Sequence, residues 1–95
     1  MAVKIFIRRH VPERLGASLG DLLRQLRALT LNQPGYISGE TLKRVDKENE
    51  TLVISSWLSR KHWENWFESP DRRRIQDQVD LLLGEKTEYE VYENI

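Results

Sequence analysis

Three features of the 95-residue sequence predict an α+β fold in the order strand, helix, strand, strand, helix, strand. Residues 3–9 and 87–92 alternate apolar and polar side chains with the period of two that a strand requires. Residues 15–29 and 63–83 instead repeat apolar side chains in steps of three and four, the spacing of an amphipathic helix. Between the two helical segments, two extended runs flank a charged loop and read as an antiparallel hairpin.

The first strand sets Val3, Ile5 and Ile7 against Lys4, Phe6 and Arg8. Phe6 on the otherwise polar side points to a sheet covered on both faces. From Pro12 the pattern changes to Leu15, Leu19, Leu22, Leu23, Leu26 and Leu29, one stripe along a helix of about five turns. Pro12 suits its first turn, and Arg24 and Arg27 suit the carboxyl end of its dipole.

Asn32-Gln33-Pro34-Gly35 ends that helix, and the chain continues through Tyr36 to Asp46 and Thr51 to Trp57 around the loop Lys47-Glu48-Asn49-Glu50. Gly39 marks either a bulge or a close backbone approach. Ser59 is placed to cap a helix carrying Trp63, Trp66 and Phe67. Ser69-Pro70-Asp71 reads as a second start, with Ser69 as cap, so the helical region breaks at Pro70 before resuming with Ile75, Val79, Leu82 and Leu83. Gly84 terminates it, and Thr87 to Tyr92 forms the last strand. All three tryptophans lie where a strand hands over to a helix, which suggests an aromatic-lined cavity.

This order is the ferredoxin-like βαββαβ arrangement, with two helical segments on one face of a four-stranded antiparallel sheet and residues 1–95 in one domain. The second strand divides as Tyr36, Ser38, Glu40, Leu42 and Arg44 against Ile37, Gly39, Thr41, Lys43 and Val45, and neither side is uniformly polar. That pattern favours two sheets meeting face to face in a homodimer, over an edge-wise pairing or a solvated sheet. A chain this short buries only about 60 to 65% of its unfolded surface, so a partner that covers apolar area would help it.

Fifteen basic and fifteen acidic residues cancel, leaving no net field to draw nucleic acid or an acidic membrane. Arg72-Arg73-Arg74, the one dense basic run, reads as a solvated helical face. With no cysteine, thiolate catalysis, disulfides and cysteine-based metal sites are excluded. The two histidines lie on separate elements without carboxylates at ligand spacing, so no metal site is expected. His10 falls in the loop after the first strand, where a turn role is expected. Gly16 and Gly20 lie inside a helix and form no nucleotide-binding loop. The apolar run at the N-terminus is too short for a signal-peptide core and no stretch could span a bilayer, so a cytoplasmic protein is expected.

Pro34-Gly35-Tyr36-Ile37-Ser38-Gly39-Glu40, Leu52-Val53-Ile54-Ser55-Ser56-Trp57 and Trp63-Glu64-Asn65-Trp66-Phe67-Glu68-Ser69-Pro70 resemble the antibiotic biosynthesis monooxygenase domain. The resemblance covers nearly the whole chain in order and spacing. It implies a dimeric α+β barrel with a cavity in each subunit between sheet and helices. Family members that degrade haem carry a tryptophan matching Trp66, but their iron-ligating histidine falls at Gln76 here. Their asparagine near the end of the first strand also has no counterpart, since Ile7, Arg8 and Arg9 occupy that region.

The resemblance therefore implies the family's other activity, oxygenation of electron-rich aromatic, quinol-like or polyketide-like compounds with no metal or flavin cofactor. Trp66 is the best candidate for the pocket. Trp57, Trp63, Phe67 and Tyr36 are further stacking walls, and Arg8, Arg44 and His62 are candidates to stabilise an oxyanion. For Trp63 and Trp66 core packing is the competing role, and for His62 a solvated surface position. No residue can be singled out as the catalytic base, and the natural substrate is not legible. The competing reading is a non-catalytic dimeric ligand-binding or accessory protein. A hollow, polar-tipped cavity favours the enzyme, and one filled by Trp66, Phe67 and leucines favours the accessory role.

Overall fold

A computed structural model describes residues 1–95. Its strands are β1 (Val3–His10), β2 (Tyr36–Lys43), β3 (Glu50–Trp57) and β4 (Glu88–Glu93), and its helices are α1 (Gly16–Thr30), α2 (Arg60–Phe67) and α3 (Pro70–Leu83). The strands form one antiparallel sheet in the order β2-β3-β1-β4. All helices pack on one face, as the ferredoxin-like reading predicts.

The apolar periods decide which side chains meet. Val3 and Ile5 of β1, Trp57 of β3, Leu19 and Leu26 of α1, Trp63 and Trp66 of α2, and Ile75 and Val79 of α3 form one buried core. Of its three tryptophans, Trp57 is wholly enclosed. The register places Val3 opposite Trp57 and Ile5 opposite Ser55, so the inward phase of β1 continues across the sheet.

Local chemistry sets the helix boundaries. Ser59 caps α2, its Oγ accepting the His62 backbone N–H at 3.2 Å. Gly84 closes α3 in the left-handed conformation at φ 72°. Ser69 occupies the corresponding position at the start of α3, but its side chain makes no capping hydrogen bond. Pro70 at the helix start removes one of the orphan N–H groups of the first turn.

Two boundaries lie several residues from expectation. Pro12 precedes a single 3₁₀ turn, Glu13–Leu15, in which the Leu15 N–H bonds the Pro12 carbonyl at 2.9 Å. α1 therefore starts at Gly16 and is shorter than the leucine stripe suggests. β2 stops at Lys43 rather than Asp46, because Arg44 folds back onto the loop and ion-pairs with Asp46 at 2.6 Å and Glu50 at 2.8 Å. The basic run also divides: Arg72 is buried, while Arg73 and Arg74 face solvent. Arg72 lies on the same stripe as Ile75 and Val79, three and seven residues further along α3.

Candidate functional site

A cavity of about 380 Å³ lies between the inner face of the sheet and the helices. Its apolar wall is formed by leucines of α1 and by Trp57, Trp63 and Trp66, and its polar end by Arg9 of β1, Arg72 and Gln76 of α3 and Tyr89 of β4. The space is hollow although both α2 tryptophans are themselves buried.

Aromatic rings are continuous along one side. Tyr36 stands edge-on to Trp57 with centroids 5.4 Å apart, and Trp57 meets Trp63 at 5.8 Å. Trp63 contacts Phe67 at 5.5 Å and Tyr89 at 5.9 Å, while Phe67 meets Tyr89 edge-on at 5.1 Å. Such pairs each add roughly 0.5 to 1.5 kcal/mol beyond their area burial and hold the rings in fixed orientations. The Trp57 indole N–H donates to Ser55 Oγ at 3.1 Å, so the enclosed tryptophan is satisfied by its own strand.

At the polar end, Arg72 lies 4.4 Å above the Phe67 ring and 5.1 Å from that of Tyr89. Its guanidinium donates to the Phe67 carbonyl at 3.0 Å and to the Tyr89 hydroxyl. Burial lowers the Arg72 pKa and raises that of Tyr89, which favours a neutral phenol beside a still-cationic guanidinium at neutral pH. Gln76 Nε2 donates to Asp80 at 2.8 Å and to Thr87 Oγ1 at 2.9 Å, tying α3 to the start of β4. An amide held this way offers a metal no nitrogen lone pair at the position where haem-degrading relatives of the resemblance place a histidine.

Of the residues singled out from sequence, Trp66, Trp57 and Tyr36 line the cavity, together with Trp63. Arg8, Arg44 and His62 do not. Arg8 projects from the outer face of the sheet and ion-pairs with Glu90 at 3.0 Å. Arg44 is committed to Asp46 and Glu50 at the hairpin end. His62 is half-buried rather than solvated, with Nδ1 2.7 Å from Ser59 Oγ and its ring against Gly35. His10 closes β1 rather than lying in a loop.

Sequence reasoning leaves Arg9 and Tyr89 without a site role and places Arg72, here buried, on a solvated face. A signal existed in the phase of each: Arg9 shares the inward parity of Val3, Ile5 and Ile7, and Arg72 shares the stripe of Ile75 and Val79. Tyr89 pairs with Ile7 in the sheet register.

Fold and cavity together define a ferredoxin-like domain with a ligand-sized chamber between sheet and helices. The family model described as antibiotic biosynthesis monooxygenase matches residues 2–78, and the chain belongs to that family. No curated protein matches. Among solved structures, a conserved protein from Methanosarcina mazei Go1 is similar with a TM-score of 0.90 and 16% identity, over 100% of this chain and 94% of the other. Rv0793 from Mycobacterium tuberculosis is similar with a TM-score of 0.85 and 20% identity, over 100% and 96%. SnoaB from Streptomyces nogalater, described as a cofactor-independent oxygenase, gives a TM-score of 0.80 and 18% identity, over 99% and 93%. At these identities the likeness establishes the shared fold. No helix is long and apolar enough to cross a membrane.

Proposed function

We propose that this protein is a cytoplasmic homodimeric monooxygenase that oxygenates a small aromatic, quinol-like or polyketide-like molecule without metal or flavin. One observation carries the reading: the cavity is hollow, aromatic along its wall and polar at one end, instead of being filled by Trp66, Phe67 and leucines. Membership of the monooxygenase family and the likeness to SnoaB support it.

The chemistry divides between substrate and site. An activated CH₂ of an anthrone-like substrate loses a proton, and the carbanion delocalises its charge onto a ring oxygen. Electron transfer to O₂ and recombination form a C–O bond; protonation gives a hydroperoxide, and loss of water leaves a carbonyl. One O₂ thus converts CH₂ to C=O and releases H₂O. Trp57, Trp66 and Tyr36 would hold the rings, and the Arg72–Tyr89 pair would stabilise the oxyanion from the polar end. Arg8, Arg44 and His62 are not among the residues that line the cavity.

A second reading, a ligand-binding protein without catalysis, is favoured by the lack of a histidine in the lining. The one acidic residue of the lining, Glu40, is exposed and shares the outward phase of Phe6 in the sheet, so the proton must go to water. Oxygen uptake decides between the two. Metal-stripped protein with reduced quinols and anthrones, corrected for autoxidation, should show saturable uptake that Trp66→Phe lowers at least tenfold while its melting temperature changes little. Background uptake with every substrate would leave the ligand-binding reading.

A further inference from the structure

Arg9 is only 8% exposed, and its Nε is sealed from solvent with no hydrogen-bond acceptor. It forms no ion pair, unlike Arg8 beside it. Asp80 is close enough to act on its charge, but lies outside ion-pairing distance. Asp80 Oδ1 already accepts from Gln76 Nε2, the Thr87 amide and the Thr87 hydroxyl at 2.8, 3.2 and 3.0 Å. A buried, unpartnered guanidinium is costly in a fold that gains nothing else from it.

The cavity lining carries a positive excess. Arg9 and Arg72 lie within it and Arg27 towards its α1 side, while Arg24 at the rim is paired with Asp21 and Glu40 shares the outward phase of Phe6. The whole chain is neutral by formal charge, so this positive excess is local. It would draw an anion into a low-dielectric chamber.

From the unpartnered guanidinium and the aromatic walls we infer that the ligand is a small aromatic molecule bearing a carboxylate, and that Arg9 binds this group while the rings lie among Trp57, Trp63 and Trp66. This rests on the cavity being the ligand site of the proposed oxygenase. A carboxylate fits better than a phosphate. Arg72 is already engaged by Phe67 and Tyr89, which leaves one free planar fork, and that fork matches one carboxylate. The Tyr89 hydroxyl accepts from Arg72 and keeps its own hydrogen to donate to the reacting oxygen, so the acid anchors the substrate by a group distinct from the one oxidised.

Calorimetric titration with 2-naphthoate and its neutral analogue 2-naphthamide tests the anchor. Wild-type protein should bind the acid at least about tenfold more tightly than the amide. Arg9→Gln and Arg9→Met should abolish that preference while changing amide affinity less than about threefold, and the surface control Arg60→Gln should retain it. The wild-type preference should also persist in about 0.5 M salt, which screens exposed arginines but not a buried one. Equal binding of the two probes, binding of neither, a preference that survives both Arg9 substitutions, or one that vanishes in salt would each overturn the anchor. Acid preference without oxygen uptake would retain the anchor and remove the oxygenase. Uptake equally fast with neutral and carboxylated anthrones would do the reverse.

Discussion

A side-chain carbon added at Gly39 would lie 2.6 Å from the Tyr36 hydroxyl oxygen, three residues back along the same strand. The register of β2 against β3 shifts between Tyr36 and Ser38, so the irregularity precedes Gly39. Gly39 itself is the close approach: its missing side chain gives Tyr36 room to lie beside the strand and meet Trp57.

Two glycines consequently differ in what they tolerate. Gly39→Ala should cost about 1 kcal/mol, because the obstructing hydroxyl is the far end of a side chain that can swing away. Its main effect should be weaker binding at the Tyr36 wall. Gly35 has φ 84°, and a carbon there would lie 2.3 Å from His62 Cγ. Its carbonyl also accepts the Leu58 N–H at 2.8 Å, which holds the turn to the end of β3. Gly35→Ala should cost more than about 2 kcal/mol, combining left-handed strain with a clash near the base of a fixed ring. Urea denaturation of both variants checks the order, and equal losses would contradict it.

Tyr89→Phe keeps the ring but removes the acceptor of an Arg72 hydrogen bond. Leaving that buried nitrogen unpaired should cost about 1 to 3 kcal/mol at neutral pH. Burial holds the phenol above its ordinary pKa of 10.0, so the unfolded chain ionises first. The stabilising contribution is full below pH 10 and is lost as pH rises through the folded-state value. Denaturation curves at neutral and alkaline pH should show Tyr89→Phe losing less stability than wild type at the alkaline end. Parallel alkaline losses would count against this account.

Glu50 gives the opposite sign at acid pH. Lys47 and Arg44 hold its carboxyl at about 2, down from an ordinary 4.5. Its contribution is present above the unfolded value and is lost as pH falls from 4.5 towards 2. The group is solvent-accessible, so the effect should be small and should fade with added salt. Glu50→Gln should flatten the melting-temperature profile across that interval, and an unchanged profile would show that the ion pairs contribute nothing measurable.

The outer face of the sheet supplies the assembly prediction. Phe6 and Tyr92 pair edge-on there at 4.9 Å, Tyr92 is 50% exposed, and Leu42 is 43% exposed on β2. Light scattering should give a mass twice the 11.3 kDa of one chain. Phe6→Lys should shift it to the single-chain mass with the circular dichroism spectrum retained. A wild-type monomer would remove the face-to-face barrel.

Element types were legible because they depend on neighbours within a few residues. The alternation in β1, the leucine stripe of α1, the Ser59 cap and the break at Pro70 all act over that range. Trp66 and Trp57 are legible as candidate walls because bulky aromatics at a strand-to-helix junction declare an apolar surface, and Tyr36 because it opens β2 after the Pro34-Gly35 turn. Arg9 was overlooked in favour of Arg8 because a window of sequence reads both as polar, and only the phase against Ile5 and Ile7 separates them.

The sequence by itself determined the element order, the inward phase of each element and the aromatic character of the chamber, since these follow from local periodicity and side-chain size. Tertiary structure alone decided the polar end. The order β2-β3-β1-β4 sets β4 beside β1, and Arg72 and Gln76 of α3 reach Tyr89 of β4 and Thr87 just before it. Arg9, Arg72 and Tyr89 thereby meet at one end of the cavity from three separate elements. No local propensity records such a meeting, because the free energy that permits a buried charge comes from residues and ligand groups distant in the chain.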